Sequence, residues 1–190
     1  AGDGGLCIMD ITDPISPTRV GERSFGSDEA LGLTVSGDYA YIALWGQGLT
    51  TVDISDPANP VTAGTIETKG FGAWDVSLGD SYAYLTANKN GLHVSDVADP
   101  AAPVEVGFYV DDPYRWVSAV AVAYPYVYLG TGVIVDAYDP YSPTLAGYFA
   151  INGSVENMPL EGNLPYVPRY SEGFTLLNLT DPLNPAVAVH

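Results

Sequence analysis

Short runs in which apolar and polar or small residues alternate recur along the chain: "DYAYIAL" at 38–44, "SYAYLTA" at 81–87 and "PYVYLG" at 125–130. A period of two, rich in Tyr, Val and Ile, predicts β-strands, because successive strand side chains point to opposite faces. Each unit of the pattern also carries two prolines and several glycines, which exclude a helical repeat. In the first complete unit the pattern predicts strand 1 at about 31–36 ("LGLTVS"), a "GD" turn and strand 2 at 39–44. A Gly-containing hairpin then leads to strand 3 at 49–54, and strand 4 follows the turn "DPANP" at 61–67.

The unit repeats. "DITDPISP" at 10–17 returns as "DISDPANP" at 53–60, "DVADPAAP" at 96–103, "DAYDPYSP" at 136–143 and "NLTDPLNP" at 178–185. The prolines of the Asp-Pro pairs, Pro14, Pro57, Pro100, Pro140 and Pro182, are spaced by 43, 43, 40 and 42 residues. Four short strands in a period of this length predict an all-β fold, a β-propeller of four-stranded antiparallel blades. About 4.5 blades are expected in one domain spanning 1–190: a partial blade at 1–25, then blades at about 28–67, 71–110, 114–150 and 154–190. The last unit drifts, with "GNLPYVP" where others have "GDYAY" and Asn178 in place of the first Asp.

The pattern "GL-x-x-x-D-x-x-DP-x-x-P-x-x-x-G", followed by "G-D-x-A-Y", resembles the LVIVD-repeat β-propellers. It is carried by "GLCIMDITDP", "GLTTVDISDP", "GLHVSDVADP", "VIVDAYDP" and "FTLLNLTDP", so the resemblance extends over nearly the whole chain. It implies a propeller of the kind found largely in bacterial and archaeal surface or secreted proteins. It implies no catalytic residue, since the family is defined by a structural repeat.

The repeated phrase reads as turn chemistry. An aspartate before Pro accepts hydrogen bonds from the next backbone amides, and Pro presets φ for the second turn position. Asp13, Asp56, Asp99, Asp139 and Asp181 are therefore expected to be structural caps between strands 3 and 4. The alternative, a row of calcium sites built from pairs such as Asp53 and Asp56, supplies too few oxygens for a cation that takes six to eight.

Alternating strands place the 1–2 and 3–4 turns on one face and the 2–3 hairpins and inter-blade loops on the other. The first face is nearly uniform between units, whereas the second varies: "LWGQG", "TANKNG", "LGTG" and "RYSEG" in the hairpins, "SFGSDEA", "TKGFGAW", "VDDPYRWVS" and "INGSVENM" in the loops. Divergent loops on a repeated scaffold are where recognition is housed. The candidate binding residues are Trp45, Asp111, Asp112, Tyr114, Arg115 and Tyr170, with Asp28 and Glu29 nearby. Trp74 and Trp116 are expected to begin strand 1 and pack between blades. Asp111 and Asp112 are the candidate calcium ligands, and Asn152 and Asn178 head glycosylation sequons.

Composition narrows the function. Six basic against 23 acidic residues, a formal charge of −17, argue against nucleic acid or an anionic membrane surface as partner. Few lysines beside 14 tyrosines and 21 glycines suit an extracellular or cell-surface β-protein. The single cysteine, Cys7, excludes an internal disulfide and is expected to be a buried, inert thiol. No stretch reaches the roughly 18 apolar residues of a membrane helix, and the start, "AGDGG", with neither Met nor signal peptide, reads as a processed chain or fragment.

His93 and His190 are the only histidines, and no G-x-S-x-G, P-loop or Cys-His arrangement occurs. The expectation is a non-catalytic module with no cofactor, a structural or protein-interaction building block whose partner is another protein or copies of itself. A ligand-binding propeller for glycan or calcium is the alternative. A channel-centred hydrolase stands third and needs carboxylates at the axis. Strand counting leaves two strands missing from a closed five-blade ring, so the isolated chain is not expected to be a stable, dispersed monomer.

Overall fold

A computed structural model describes residues 5–68, 72–112, 115–151, 155–169 and 173–189. These residues form strands and no helix, and hence no helix able to cross a membrane. A two-stranded sheet holds β1 (Gly5–Asp10) and β2 (Thr18–Ser24). The second sheet holds β3 (Ala30–Ser36), β4 (Tyr39–Leu44), β5 (Gly48–Asp53) and β6 (Val61–Glu67). The third holds β7 (Asp75–Gly79), β8 (Tyr82–Thr86), β9 (Leu92–Asp96) and β10 (Val104–Tyr109). The fourth holds β11 (Val120–Ala123), β12 (Tyr126–Leu129), β13 (Val133–Asp136) and β14 (Thr144–Tyr148). The fifth holds β15 (Leu160–Glu161), β16 (Leu164–Arg169), β17 (Gly173–Asn178) and β18 (Ala186–Val189). Every pairing within a sheet is antiparallel and sequential, the blade arrangement of an open propeller.

The core lies between blades. Leu6 and Ile8 of the first sheet pack on Ala40, Ile42, Leu44 and Val52 of the second. Tyr41, Ala43 and Leu49 meet Val76, Ala83 and Leu85 of the third. Tyr84, Leu92 and Val94 meet Val120, Val122 and Val127, and Tyr128 and Ile134 meet Met158, Val167 and Leu177. The alternation read from sequence thus buries both faces of each complete inner blade, one against each neighbour. Fully burying such a side chain is worth roughly 1.5–3 kcal/mol.

The repeated phrase is a capped turn. The amides of Ile15, Ala58, Ala101, Tyr141 and Leu183 donate to Oδ1 of Asp13, Asp56, Asp99, Asp139 and Asp181 at 3.0–3.2 Å. Two residues after each first acidic position, the amides of Thr12, Ser55, Ala98 and Tyr138 donate to Asp10, Asp53, Asp96 and Asp136 at 2.8–2.9 Å. Asn178 replaces the aspartate without loss, accepting from Thr180 N at 2.8 Å. The neighbouring hydrogen bonds hold the carboxyls of Asp10, Asp53 and Asp56 below the usual range.

The glycine that closes the motif has a tertiary reason. At Gly21, Gly64 and Gly107, in strand 4, it lies tight beneath the Asp-Pro turn of the following blade, whereas a Cβ on Gly147 would meet nothing nearer than 3.9 Å. A Cβ on Gly64 would sit 2.5 Å from Pro103 Cδ and 2.9 Å from Pro100 O, and one on Gly21 or Gly107 would overlap the carbonyl oxygen of Pro57 or Pro140. Thr51 Oγ1 and Tyr128 Oη add hydrogen bonds to Pro100 O and Pro182 O, at 2.5 and 2.9 Å. The turn is therefore a clasp between blades as well as a cap within one.

Two expectations, for Cys7 and Trp116, need correction, and one repeated dipeptide differs in register between blades. The "GD" dipeptides at 37–38 and 79–80 are not equivalent: Gly37-Asp38 is the turn of the second sheet, whereas Gly79 is still strand and Asp80-Ser81 turns the third. Gly37 and Asp80 share the left-handed turn position, with φ of 57° and 55°. Cys7 is exposed, because Leu6 and Ile8 take the side of β1 that faces the second sheet and Cys7 points the other way. Trp116 precedes β11 by four residues and is 57% exposed, so it does not begin a strand.

Candidate functional site

The hairpins β4–β5, β8–β9 and β12–β13 and the inter-blade connections leave the propeller on one face. Trp45, in the first hairpin, is anchored by its amide to Glu29 O at 2.9 Å. Beside it Gln47 Nε2 donates to Asp28 Oδ2 at 2.5 Å. The next connection presses against this hairpin: Ala73 N donates to Leu44 O, and a side chain on Gly72 would overlap Trp45 O. Glycine at 72 thereby lets the chain bring Trp74 beside Trp45.

The two indoles meet edge to face, centroids 5.2 Å apart at 86°. Trp116 from the following connection extends the contact, 6.4 Å from Trp74 at 58°. Trp74 is half-buried in the middle, its Nε1 buried without a hydrogen-bond partner, while Trp45 and Trp116 are 40% and 57% exposed. Edge-to-face packing of this kind contributes about 0.5–1.5 kcal/mol beyond area burial, so the row stiffens itself.

Beside the row lies a cleft of about 350 Å³ lined by Trp74, Arg115, Trp116, Ser118, Thr131 and Glu156 among others. Arg115 is held across it, Nη2 donating to Thr131 O at 2.9 Å, and Ser118 Oγ donates to Val155 O at 2.7 Å. The cleft thus presents indole faces, a guanidinium and an exposed carboxylate at Glu156.

The other nominated residues fall as follows. Asp111 Oδ1 accepts from the phenols of Tyr109 (3.4 Å) and Tyr148 (3.2 Å), joining the outer strands of the third and fourth sheets. Burial first, and then the Asp111 charge, push the Tyr109 phenol up to about 12. Among the described residues no group of three or more His, Cys, Asp or Glu is arranged to hold a metal, and Asp111 and Asp112 are not part of one. Tyr114, Tyr170 and Asn152 lie outside the described residues. Asn178 Oδ1 is engaged by Thr180, through both its amide and its hydroxyl.

Sequence reasoning missed Asp75. It lies in the innermost strand of the third blade, 5% exposed, with Oδ1 accepting from Val76 N at 2.9 Å and Oδ2 from Val120 N of the next blade at 3.0 Å. Burial outweighs those amides and raises its carboxyl to about 6. The signal was present: an acid inside an apolar strand, where equivalent positions hold Gly32 and Ala119.

Antiparallel blades clasped by Asp-Pro turns define an arc of a β-propeller. The LVIVD repeat pattern matches residues 1–23, 29–68 and 72–111, more than half of the chain. The chain belongs to the LVIVD-repeat family. None of the curated protein sequences matches it. Among solved structures, the computationally designed Ika8 protein is similar with a TM-score of 0.68 at 12% identity, over 95% of this chain and 54% of that one. The chain therefore spans about half the length of Ika8. The computationally designed Ika4 protein is similar with a TM-score of 0.59 at 11% identity, over 78% of this chain and 90% of that one.

Proposed function

We infer that the chain is a non-catalytic module of an extracellular or cell-surface assembly and works through protein contacts made by its hairpin and loop face. The observation that carries this reading is the row Trp45–Trp74–Trp116, drawn from three successive connections and exposed at both ends. Aromatic side chains that are already fixed lose little entropy on binding and dominate interface energetics. The strongly acidic composition favours a partner with basic or aromatic surface over nucleic acid. Asp75, with both oxygens held by backbone amides, is suited to joining blades rather than to proton transfer.

A second reading is favoured by one feature. Trp116 beside Arg115 and Glu156 at the cleft suits a glycan, whose rings stack on indole and whose hydroxyls take charged partners. The double variant Trp45→Ala/Trp116→Ala addresses both readings. Its melting temperature should stay within a few degrees of the parent, as for other surface substitutions. Cross-linking to cell-surface protein of the source should be lost; cross-linking that persists at parental level overturns the protein-contact reading. Quenching of tryptophan fluorescence by an oligosaccharide panel, abolished in the variant, would favour the glycan reading instead.

A further inference from the structure

The Asp-Pro turns share their caps, but the residues between the caps differ from blade to blade. In the fourth blade the β13–β14 turn carries Tyr138 and Tyr141, where the third blade carries Ala98 and Ala101 and no other blade has an aromatic residue. Neither ring is needed to build the turn. Tyr138 and Tyr141 donate only their amides, to Asp136 and Asp139, and Ala98 and Ala101 make the same two bonds to Asp96 and Asp99. A third ring comes from the β11–β12 turn of the same blade, where register sets Tyr124 at the position of Gly37, Asp80 and Gly162.

The three rings form one patch in solvent. Tyr124, Tyr138 and Tyr141 are 49%, 74% and 62% exposed, and Tyr124 Oη donates to Tyr138 O at 3.5 Å, tying the two turns together. Tyr82 extends the patch to the third blade. Its body packs on the core between the third and fourth blades. Burial first, and then Tyr141, Asp96, Asp80 and Tyr124, raise its phenol, so these four groups lie within electrostatic reach of its hydroxyl. Carboxylates therefore stand among the rings. Asp80 is exposed, and Asp139 spends only Oδ1 on its cap. In the second and fifth blades Asn59 and Asn184 donate to the other oxygen of the equivalent aspartate, at 2.8 and 3.0 Å. The fourth blade has Ser142 there, and Asp139 Oδ2 accepts no hydrogen bond among the described residues. None of the chain's six basic residues lies in the turns of the third or fourth blade.

We propose that this tyrosine patch on the turn face docks an extended, arginine-bearing segment of a partner protein. A guanidinium stacks on a phenol ring through its plane and forks onto a carboxylate through its edge, so it uses both groups that the patch offers. An apolar segment would strip water from Asp80 and Asp139 without pairing them. A neutral sugar would use the rings and leave the carboxylates unanswered. The patch lies on the face opposite the tryptophan row and stands whether or not that row binds anything.

The test titrates the 190-residue chain into a fluorescein-labelled peptide of alternating Arg and Ser. Salt is held at about 150 mM, where exposed charges more than about 8 Å apart are largely screened. Fluorescence anisotropy should show saturable binding, and peptide-induced amide shifts should concentrate at 80–82, 124 and 138–142. The double variant Tyr138→Ala/Tyr141→Ala restores the third blade's residues and keeps the net charge. It should weaken binding by roughly fivefold or more with the melting temperature unchanged. Asp139→Asn should weaken binding in the same direction, since Asn keeps an acceptor for Tyr141 N and loses the charge. The shift map needs no variant and decides the matter if the double variant melts at lower temperature. Equal affinity in parent and double variant, or shifts spread over the whole acidic surface, would mean that net charge alone attracts the peptide, and the proposal falls. It falls equally if the peptide does not bind, or if an oligosaccharide panel binds at these tyrosines in its place.

Discussion

Replacing Asp75 by Asn changes how stability depends on pH. The Asp75 carboxyl is raised from 3.8 to about 6 in the folded chain, mainly by burial. Between those values the folded state keeps a proton that the unfolded state has released, so stability falls as pH rises through the window and the loss is complete above it. At about 1.4 kcal/mol per unit, the whole shift corresponds to roughly 3 kcal/mol, of which on the order of 1 kcal/mol is regained between pH 7 and pH 5. For a chain of this size about 1 kcal/mol moves the melting temperature by 2–4 °C, so the gain on acidification is on the order of a few degrees. Acid also relieves repulsion in a chain of net charge −17, and that background is common to parent and variant. The informative quantity is therefore the difference in slope between parent and Asp75→Asn, read by calorimetry at pH 7, 6 and 5. Absolute stabilities will differ for another reason: Asn offers one acceptor where Val76 N and Val120 N now find two. Parallel slopes would refute the assignment of a buried, charged Asp75 at neutral pH.

Two further outcomes follow from packing. Gly107→Ala should destabilise by about 1–3 kcal/mol, because its Cβ overlaps Pro140 O of the next blade's turn. Gly147→Ala should be tolerated, since the nearest atom to its Cβ is Ile134 Cδ1 at 3.9 Å; equal effects in urea titration would show that the turn clasp is not what requires glycine. Cys7, exposed in β1, should react with Ellman's reagent in the native chain at the rate of a free thiol. A reaction that waits for denaturant would mean that this side of β1 is covered.

Much of the fold was legible because its signals are local. The strands at 39–44 and 61–67 follow from alternation, and the turns follow from an aspartate two residues before the amide it binds. What was not legible depends on which neighbour a residue meets. Cys7 lies in an apolar run, yet alternation alone does not reveal which side of a strand will be covered. Trp74 and Trp116 are 42 residues apart, close to one repeat, which invites the same role for both. The hairpin registers, however, set the offset there at 44, from Tyr82 to Tyr126, so Trp116 falls two residues short of the position equivalent to Trp74, four before β11, and stays in solvent. The convergence of three tryptophans and the bridge from Asp75 to Val120 likewise arise only when successive blades are stacked.

The clasp between blades explains why one face of this propeller is uniform and the other is free to diverge. The turns at Pro57, Pro100 and Pro140 satisfy their own amides and also rest on Gly21, Gly64 and Gly107 of the preceding blade, so altering either partner there disturbs a cap and an interface together. The hairpin face has no such double duty. Apart from glycines such as Gly72 and Gly91, where a side chain would overlap backbone, its conformation rests on main-chain hydrogen bonds such as Trp45 N to Glu29 O and Trp74 N to Thr86 O, which do not depend on side-chain identity. Sequence can change there without loosening the stack, and the stack in turn fixes where the changed residues stand. On the proposed protein-contact reading, the indoles that this rigid frame holds in a row offer a partner a surface of fixed geometry.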